Sequence, residues 1–512
     1  MNRSEDEMVR EAVSAPTPEA RAMAAQVARE RRRADAANAR ADREAERARQ
    51  ATQRALAAEA RLAALEASAA WRLTWPMRRL AHAVPPPFYS FVRGAPGRLL
   101  RAARGDAGQP QPPAPSAPAR FDSAPVRGPV ASRPVALLID DHWPRPDRDA
   151  GSIEIVNLAG ALTSFGFEVL FAADRDHAAG DSPGRDALAS RGVRCLGEAD
   201  APSVGAFLER EGARLTLVVL NRLYTGGRFM EDVRRQCTGA RVVFNTIDLH
   251  HVRLRREAEL RGDPAGLAAA EAACRREESL AREADATIVV SGVERDLLVA
   301  SVPDANVVVL PLAREVHPPR APFDARSGIG FIGGFAHAPN LDAVRFFLAE
   351  VWPLVLRRDP GFEFSIVGAD LPPGVLDAAP AAVRYLGPVP DAAPWFETLR
   401  LTVAPLRYGA GVKGKVVSSL AVGVPCVATP VAVEGMGLRD GDGVLVAATP
   451  EALAERVLRA HEDAGLWTQL SASGLAHVAA RFSPAAWRAT LREALWVIGV
   501  LPDPVAEEAD PA

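Results

Sequence analysis

Long apolar runs are missing from this chain. Nowhere do about eighteen apolar residues follow one another, so no membrane-spanning helix is expected. The opening stretch MNRSEDEMVREAV is too polar for a secretory signal. Cysteine is scarce: Cys195, Cys237, Cys274 and Cys426 are the four in 512 residues. They lie far apart in apolar or helical stretches, with no CxxC pair and no histidine at metal spacing. That pattern excludes a disulfide framework and reads as buried free thiols in a reducing cytosol. Charge excess is lacking too, with 61 Lys and Arg against 64 Asp and Glu and a net charge of −3. A whole-protein role in nucleic-acid binding is therefore not expected. Hydrophobic content of 48% allows sizeable cores, and the length suits two or three domains.

Local absences divide the front of the chain. Residues 19–70 contain no glycine and no proline, and consist mostly of Ala, Arg, Glu, Gln and Asp. Those residues favour helix, so residues 1–70 are expected to be helical and to form a coiled coil. A heptad seam runs through Ala34, Ala37, Ala41, Ala48, Ala51, Ala55, Ala58, Leu62, Leu65 and Ala69, with Glu44 interrupting it. Alanine layers bury little area, which suits weak self-association through residues 18–70; a solvated single helix is the alternative. Between Glu66 and Asp106 there is no acidic residue. Residues 71–104 instead interleave seven arginines with Trp71, Trp75, Phe88, Tyr89 and Phe91. Such a segment suits an anionic membrane surface, or else a hairpin docked on the globular part. Residues 105–133 are rich in Pro, Ala, Gly and Ser and read as an extended linker.

Beyond it, short apolar strands alternate with helical stretches, which implies βαβ units and parallel sheets. One series runs over residues 134–315 and a second over 326–485, leaving 486–512 as a terminal helix and tail. Two doubly wound sheets in tandem form a cleft between their carboxyl edges.

The most informative stretch lies in the second series. Strand Leu401–Pro405 opens into Arg407-Tyr-Gly409-Ala-Gly411-Val-Lys413-Gly-Lys415, followed by a small-residue helix. Glycines let the backbone approach a ligand, a helix N-terminus favours an anion, and three cations add fixed charge. A phosphate ester is the ligand this composition suits, although glycine-rich turns also occur throughout α/β proteins. Glu434, directly after the strand that ends at Thr429-Pro430, could accept hydrogen bonds from sugar or ribose hydroxyls, or cap the next turn.

This loop, with Gly423-Val-Pro-Cys-Val-Ala-Thr-Pro-Val-Ala-Val-Glu-Gly435 after it and Phe331-Ile-Gly333-Gly334-Phe-Ala-His337-Ala-Pro-Asn340 before it, resembles the donor-site signature of family 4 glycosyltransferases of GT-B fold. The resemblance covers residues 134–495. It implies a metal-independent, retaining transfer of a sugar from a nucleotide-sugar, bound by the C-terminal domain, to a glycan or lipid-linked glycan presented by the N-terminal one. No cofactor is implied; the nucleotide-sugar is a substrate.

On that reading Lys413, Lys415 and Arg407 carry the leaving diphosphate, with Gly409 and Gly411 in the same loop. Gly333 and Gly334 let the donor approach, with His337 and Asn340 beside them; His337 could instead cap the loop. Asp149, Gly151 and Ser152, in the loop after the first strand, would face the reacting groups. Asp248 and His250, at the end of strand 241–245, would orient a sugar hydroxyl or stabilise an oxocarbenium ion. His250 could also be a plain core-edge histidine. Ser291 and Glu294 read as a capping box rather than as site residues.

One departure stands out. The family's paired glutamates are replaced by Ala410 and Ser418. A neutral serine in place of a ribose-binding carboxylate would suit a deoxythymidine-linked donor. It would also suit a scaffold that has lost activity, and a sugar-nucleotide epimerase is a third reading. The expected setting is cytoplasmic, peripheral to the membrane, in surface polysaccharide synthesis.

Overall fold

The computed structural model describes residues 133–502, except 179, 181, 378, 380, 381 and 390. The coiled coil of residues 1–70, the basic aromatic segment 71–104, nearly all of the linker 105–133 and the tail after 502 lie outside the described residues.

Seven strands build the first sheet: β1 (Val135–Asp140), β2 (Glu168–Ala173), β3 (Arg194–Leu196), β4 (Leu217–Asn221), β5 (Arg241–Asn245), β6 (Ala286–Val289) and β7 (Val307–Val309). They are parallel, in the order β3-β2-β1-β4-β5-β6-β7. Six more form the second: β8 (Ile329–Ile332), β9 (Phe364–Val367), β10 (Val383–Gly387), β11 (Leu401–Ala404), β12 (Cys426–Ala428) and β13 (Val444–Val446). Their order is β10-β9-β8-β11-β12-β13. In each sheet the strand order switches sides at its first strand, between β1 and β4 and between β8 and β11, while the strands stay parallel. Loops part at those two points and leave a crevice, the arrangement expected of a GT-B protein.

Helices that bear on the crevice are α1 (Ala150–Ser164), α2 (His250–Arg261), α3 (Pro264–Glu283), α4 (Gly292–Ser301), α5 (Ala338–Phe346), α6 (Gly414–Ala421) and α7 (Pro484–Val497). The central strands are fully buried because both faces carry helices: every residue of β1 and β4 is buried. The terminal helix has a part that its sequence position does not suggest. Trp487, Leu491 and Leu495 of α7 join the core formed by Leu158, Leu162, Leu217 and Val219. The chain thus crosses back to seal the first domain after completing the second. Of the four thiols, Cys237 and Cys426 are buried, whereas Cys195 and Cys274 are only half-buried. All four are free.

Candidate active site in the interdomain cleft

The start of α2 is held from outside its own sequence. Leu249 at its N-cap offers no side-chain acceptor. Glu277 of α3, 1% exposed, supplies the acceptors instead: it takes His250 N–H at 2.7 Å and His251 N–H at 3.4 Å. Glu294 of α4 takes Leu249 N–H at 3.0 Å and Val290 N–H at 3.2 Å. The expected capping box is therefore only half formed. Ser291 Oγ accepts Glu294 N–H at 3.2 Å, but the Glu294 carboxylate returns to Val290 N–H, one residue before the N-cap, and its other oxygen holds the start of α2. Burial pushes Glu294 up to about 7, with Asp248 adding to the rise against two backbone hydrogen bonds.

This scaffold presents Asp248 and His250 to the cleft. Arg253 Nε donates to Asp248 Oδ2 at 2.9 Å, and His250 Nδ1 lies 3.4 Å from Oδ1. Burial works against the Asp248 carboxylate, yet Arg253 and His250 outweigh it and hold its pKa well below the usual range. The edge of Tyr224 meets the His250 ring, with centroids 5.6 Å apart. Both side chains are thus held in place at the cleft wall.

The glycine-rich loop after β11 closes from the other domain. Gly409 and Gly411 have φ of +153° and +67°, and a Cβ on Gly411 would stand 3.2 Å from Asp248 Cβ. Lys413 stands at the N-cap of α6 and its Nζ donates to Gly411 O at 2.6 Å. Lys415 Nζ donates to Asn340 Oδ1 at 2.5 Å and lies 4.1 Å from the Phe331 ring centre. Burial lowers both ammonium groups, Lys413 to about 8 and Lys415 to about 7. Glu434 and Glu294 partly oppose the fall at Lys413. Gly333 makes room for this arrangement, since its Cβ would come within 2.9 Å of Lys415 Nζ and 2.8 Å of Asn340 Nδ2. Gly334 packs across the cleft mouth, where a Cβ would meet Arg148 O at 2.7 Å.

His337 does not cap α5, for its ring makes no capping hydrogen bond there. It lines the cleft at its accessible rim, where the surrounding protein atoms and Arg253 push its pKa down and keep it neutral. Asn340 is satisfied within the protein, donating to Gly334 O at 2.7 Å while accepting from Lys415. Its contribution is to position that lysine.

These groups surround a cleft of about 620 Å³. The first turns of α1, α2, α5 and α6 all face it, bringing backbone N–H groups and positive dipole ends together. Of the residues expected from sequence, Asp149, Gly151, Asp248, His250, Gly333, Gly334, His337, Asn340, Gly409, Gly411, Lys413, Lys415 and Ser418 line it.

Three others are turned away from it. Arg407 pairs with Asp342, Nε donating at 2.9 Å, and stacks over Phe346. Ser152 is buried and bonded to the carboxylate of Asp149, which serves as the α1 N-cap. Glu434 receives both ends of the Arg256 guanidinium, at 2.7 and 2.8 Å. Arg256 also donates to Gly409 O at 2.7 Å, so this pair straps the phosphate loop to α2. Burial alone would raise the Glu434 pKa, but Arg256 lowers it overall.

Several cleft residues were not singled out from sequence. Arg222, with φ of +67°, donates to the buried Asp140 at 3.1 Å and lies 3.8 Å from Asp149. Arg253 also lines the cleft, where it holds Asp248. Arg314 falls in what reads as a connection between domains. The strain at Arg222 and the buried partners exist only after folding.

Residues 326–463 match the family model described as glycosyl transferases group 1. No curated protein matches the chain. Among solved structures, sucrose-phosphate synthase from Thermosynechococcus elongatus aligns with a TM-score of 0.56 at 18% identity, covering 70% of this chain and 98% of that one. HepE from Anabaena, solved with UDP and glucose, gives 0.54 at 12% identity over 70% and 99% of the two chains. A glycosyltransferase from Rickettsia africae ESF-5 gives 0.52 at 11% identity over 72% and 100%. At these identities the likeness establishes the shared two-domain fold.

Proposed function

Starting from a C-terminal domain of the group 1 glycosyltransferases on a GT-B fold, we propose that this enzyme moves a hexose from a nucleotide-sugar to a glycan or lipid-linked glycan. Transfer proceeds with retention and without a metal. The observation that carries the reading is the meeting of Lys413, Lys415 and the α6 N-terminus with the Gly333-Gly334 turn in one cleft. That set of donors suits a diphosphate and spreads the charge that develops on it as the glycosidic bond breaks. Solution of HepE with UDP and glucose is in keeping with such a ligand.

The opposite wall supports the acceptor side. Asp248, kept ionised, and the dipole of the His250 ring face the space beside the phosphate loop, where an oxocarbenium-like centre would form. Neutral His337 offers a hydrogen bond without adding charge. Lys413 and Lys415 sit partly discharged while the cleft is unliganded, and an arriving diphosphate favours their ammonium forms.

Residues 18–70 would tether the enzyme to itself, and residues 71–104 would hold it at an anionic membrane surface where lipid-linked glycans lie, on the cytoplasmic side. Purified enzyme incubated with radiolabelled UDP-, GDP- and dTDP-sugars should release the diphosphate from at least one donor. It should do so faster with a glycan acceptor. Binding of a nucleotide-sugar without turnover would favour the scaffold reading, and an exchanged sugar without an acceptor the epimerase.

A further inference from the structure

We propose that Arg314, together with Ser418, is a further recognition pair of the cleft, offering hydrogen-bond donors to a pentose hydroxyl oxygen of a ribonucleoside diphosphate. The assignment rests on the nucleotide-sugar reading above. Arg314 follows β7 in the connection between the domains, and its backbone N–H is anchored on Phe482 O at 2.8 Å. Its guanidinium is shared three ways. Nη1 pairs with Glu154 of α1 and donates to Ala313 O at 2.6 Å, while Nε donates to Ser418 Oγ at 3.2 Å. Nη2 is buried and has no acceptor in the protein. A guanidinium has five donors and no acceptor, so Nη2 calls for an oxygen from outside. Arg314, Glu154, Gly414 and Ser418 all line the cleft, and the Cβ position of Gly414 is 3.6 Å from Nη2.

Position along α6 says which part of the ligand this is. Gly414 and Ser418 are four residues apart on one helix face, about 6 Å along the axis. The Gly414 end faces the diphosphate, and the loop before it approaches Asp248, where the transferred sugar belongs. Ser418 lies one turn further into the helix, and the Arg314 guanidinium spans the two positions, with Nε on Ser418 and Nη2 near Gly414. The pentose, on the other side of the diphosphate from the transferred sugar, occupies that end. Because Ser418 Oγ accepts from Nε, its own hydrogen is free to turn toward the ligand. Both groups therefore donate, and a ribose supplies the acceptor oxygens. This reverses the deoxythymidine preference expected from the serine taken by itself.

The test uses full-length protein and calorimetry with whichever of UDP, GDP and ADP binds most tightly, and with its 2′-deoxy and 3′-deoxy forms. Arg314→Lys keeps a cation opposite Glu154 but removes the fork. It should weaken the ribonucleotide roughly tenfold to a hundredfold. It should also erase the preference over one deoxy form, with the melting temperature held. Ser418→Glu places a carboxylate within reach of Arg314, captures Nη2, and should likewise weaken binding. An unchanged ribose-to-deoxy ratio in Arg314→Lys, or tighter binding by Ser418→Glu, overturns the pair while leaving the nucleotide site standing. No binding of any diphosphate by the wild type overturns the nucleotide-sugar reading itself, and this assignment with it.

Discussion

Lys413 is a buried and Lys415 a half-buried cation, neither paired with a carboxylate among the described residues, a costly state outside a binding site. Their cost is lowered by partial discharge, since burial brings them to about 8 and about 7. Two outcomes follow. Lys415→Met should reduce diphosphate affinity roughly tenfold to a hundredfold, through loss of a charge-assisted bond, while the melting temperature holds or rises. Calorimetry beside a thermal melt separates the two effects, and unchanged affinity would remove the phosphate role. The second outcome concerns pH. An anion favours the protonated lysines, so binding takes up protons wherever the free protein has released them. Affinity should therefore fall as pH rises from about 7.5 to about 9. Binding heats in buffers of different ionisation enthalpy should report net proton uptake; release of protons would contradict the buried-lysine account.

Among the elements, α2 depends most on its neighbours. Its sequence provides no N-cap side chain, and the deficit is met by Glu277, buried at 1% exposure and bonded to His250 N–H, His251 N–H and the His251 ring. Glu277→Ala should cost about 2–4 kcal/mol in urea unfolding, because it orphans donors and uncovers His251. A loss under about 1 kcal/mol would mean that water caps the helix equally well. The strap from α2 to the phosphate loop behaves differently. Arg256 and Glu434 are each more than a quarter exposed, so their pair adds about 0–1 kcal/mol to stability. Arg256→Ala should leave the melt nearly unchanged yet raise KM for the donor, since Gly409 loses its anchor. An unaltered KM would show that the loop holds its shape alone.

For the whole molecule, residues 133–502 contain two complete sheets, and α7 seals the first with Trp487, Leu491 and Leu495. A chain starting at residue 125 should remain folded and bind nucleotide diphosphate as the full chain does. It should not sediment with anionic vesicles and should lose self-association. Equal vesicle sedimentation by both forms would remove the membrane role of residues 71–104.

Twelve strands were legible because buried parallel strands read as apolar runs between turn residues, as in Val135–Asp140 and Arg241–Asn245. Strand β3 was not, since Arg194-Cys195-Leu196 is too short to show a pattern. The phosphate loop was legible for a local reason: glycines at positive φ and a lysine-bearing helix start are neighbours in the chain. By itself the sequence determined the two parallel sheets, the glycine-rich loop and the side chains at strand ends. Tertiary structure alone decided what those side chains face. Arg407, drawn to Asp342, left the cleft; Glu434 was taken by Arg256, 178 residues away. Arg314, silent in a connecting segment, met Ser418 across 104 residues. Spacing along a strand or helix sets which residues share a face, but a charge pairs with whichever opposite charge packing brings within about 4 Å, and that distance exists only in the folded chain.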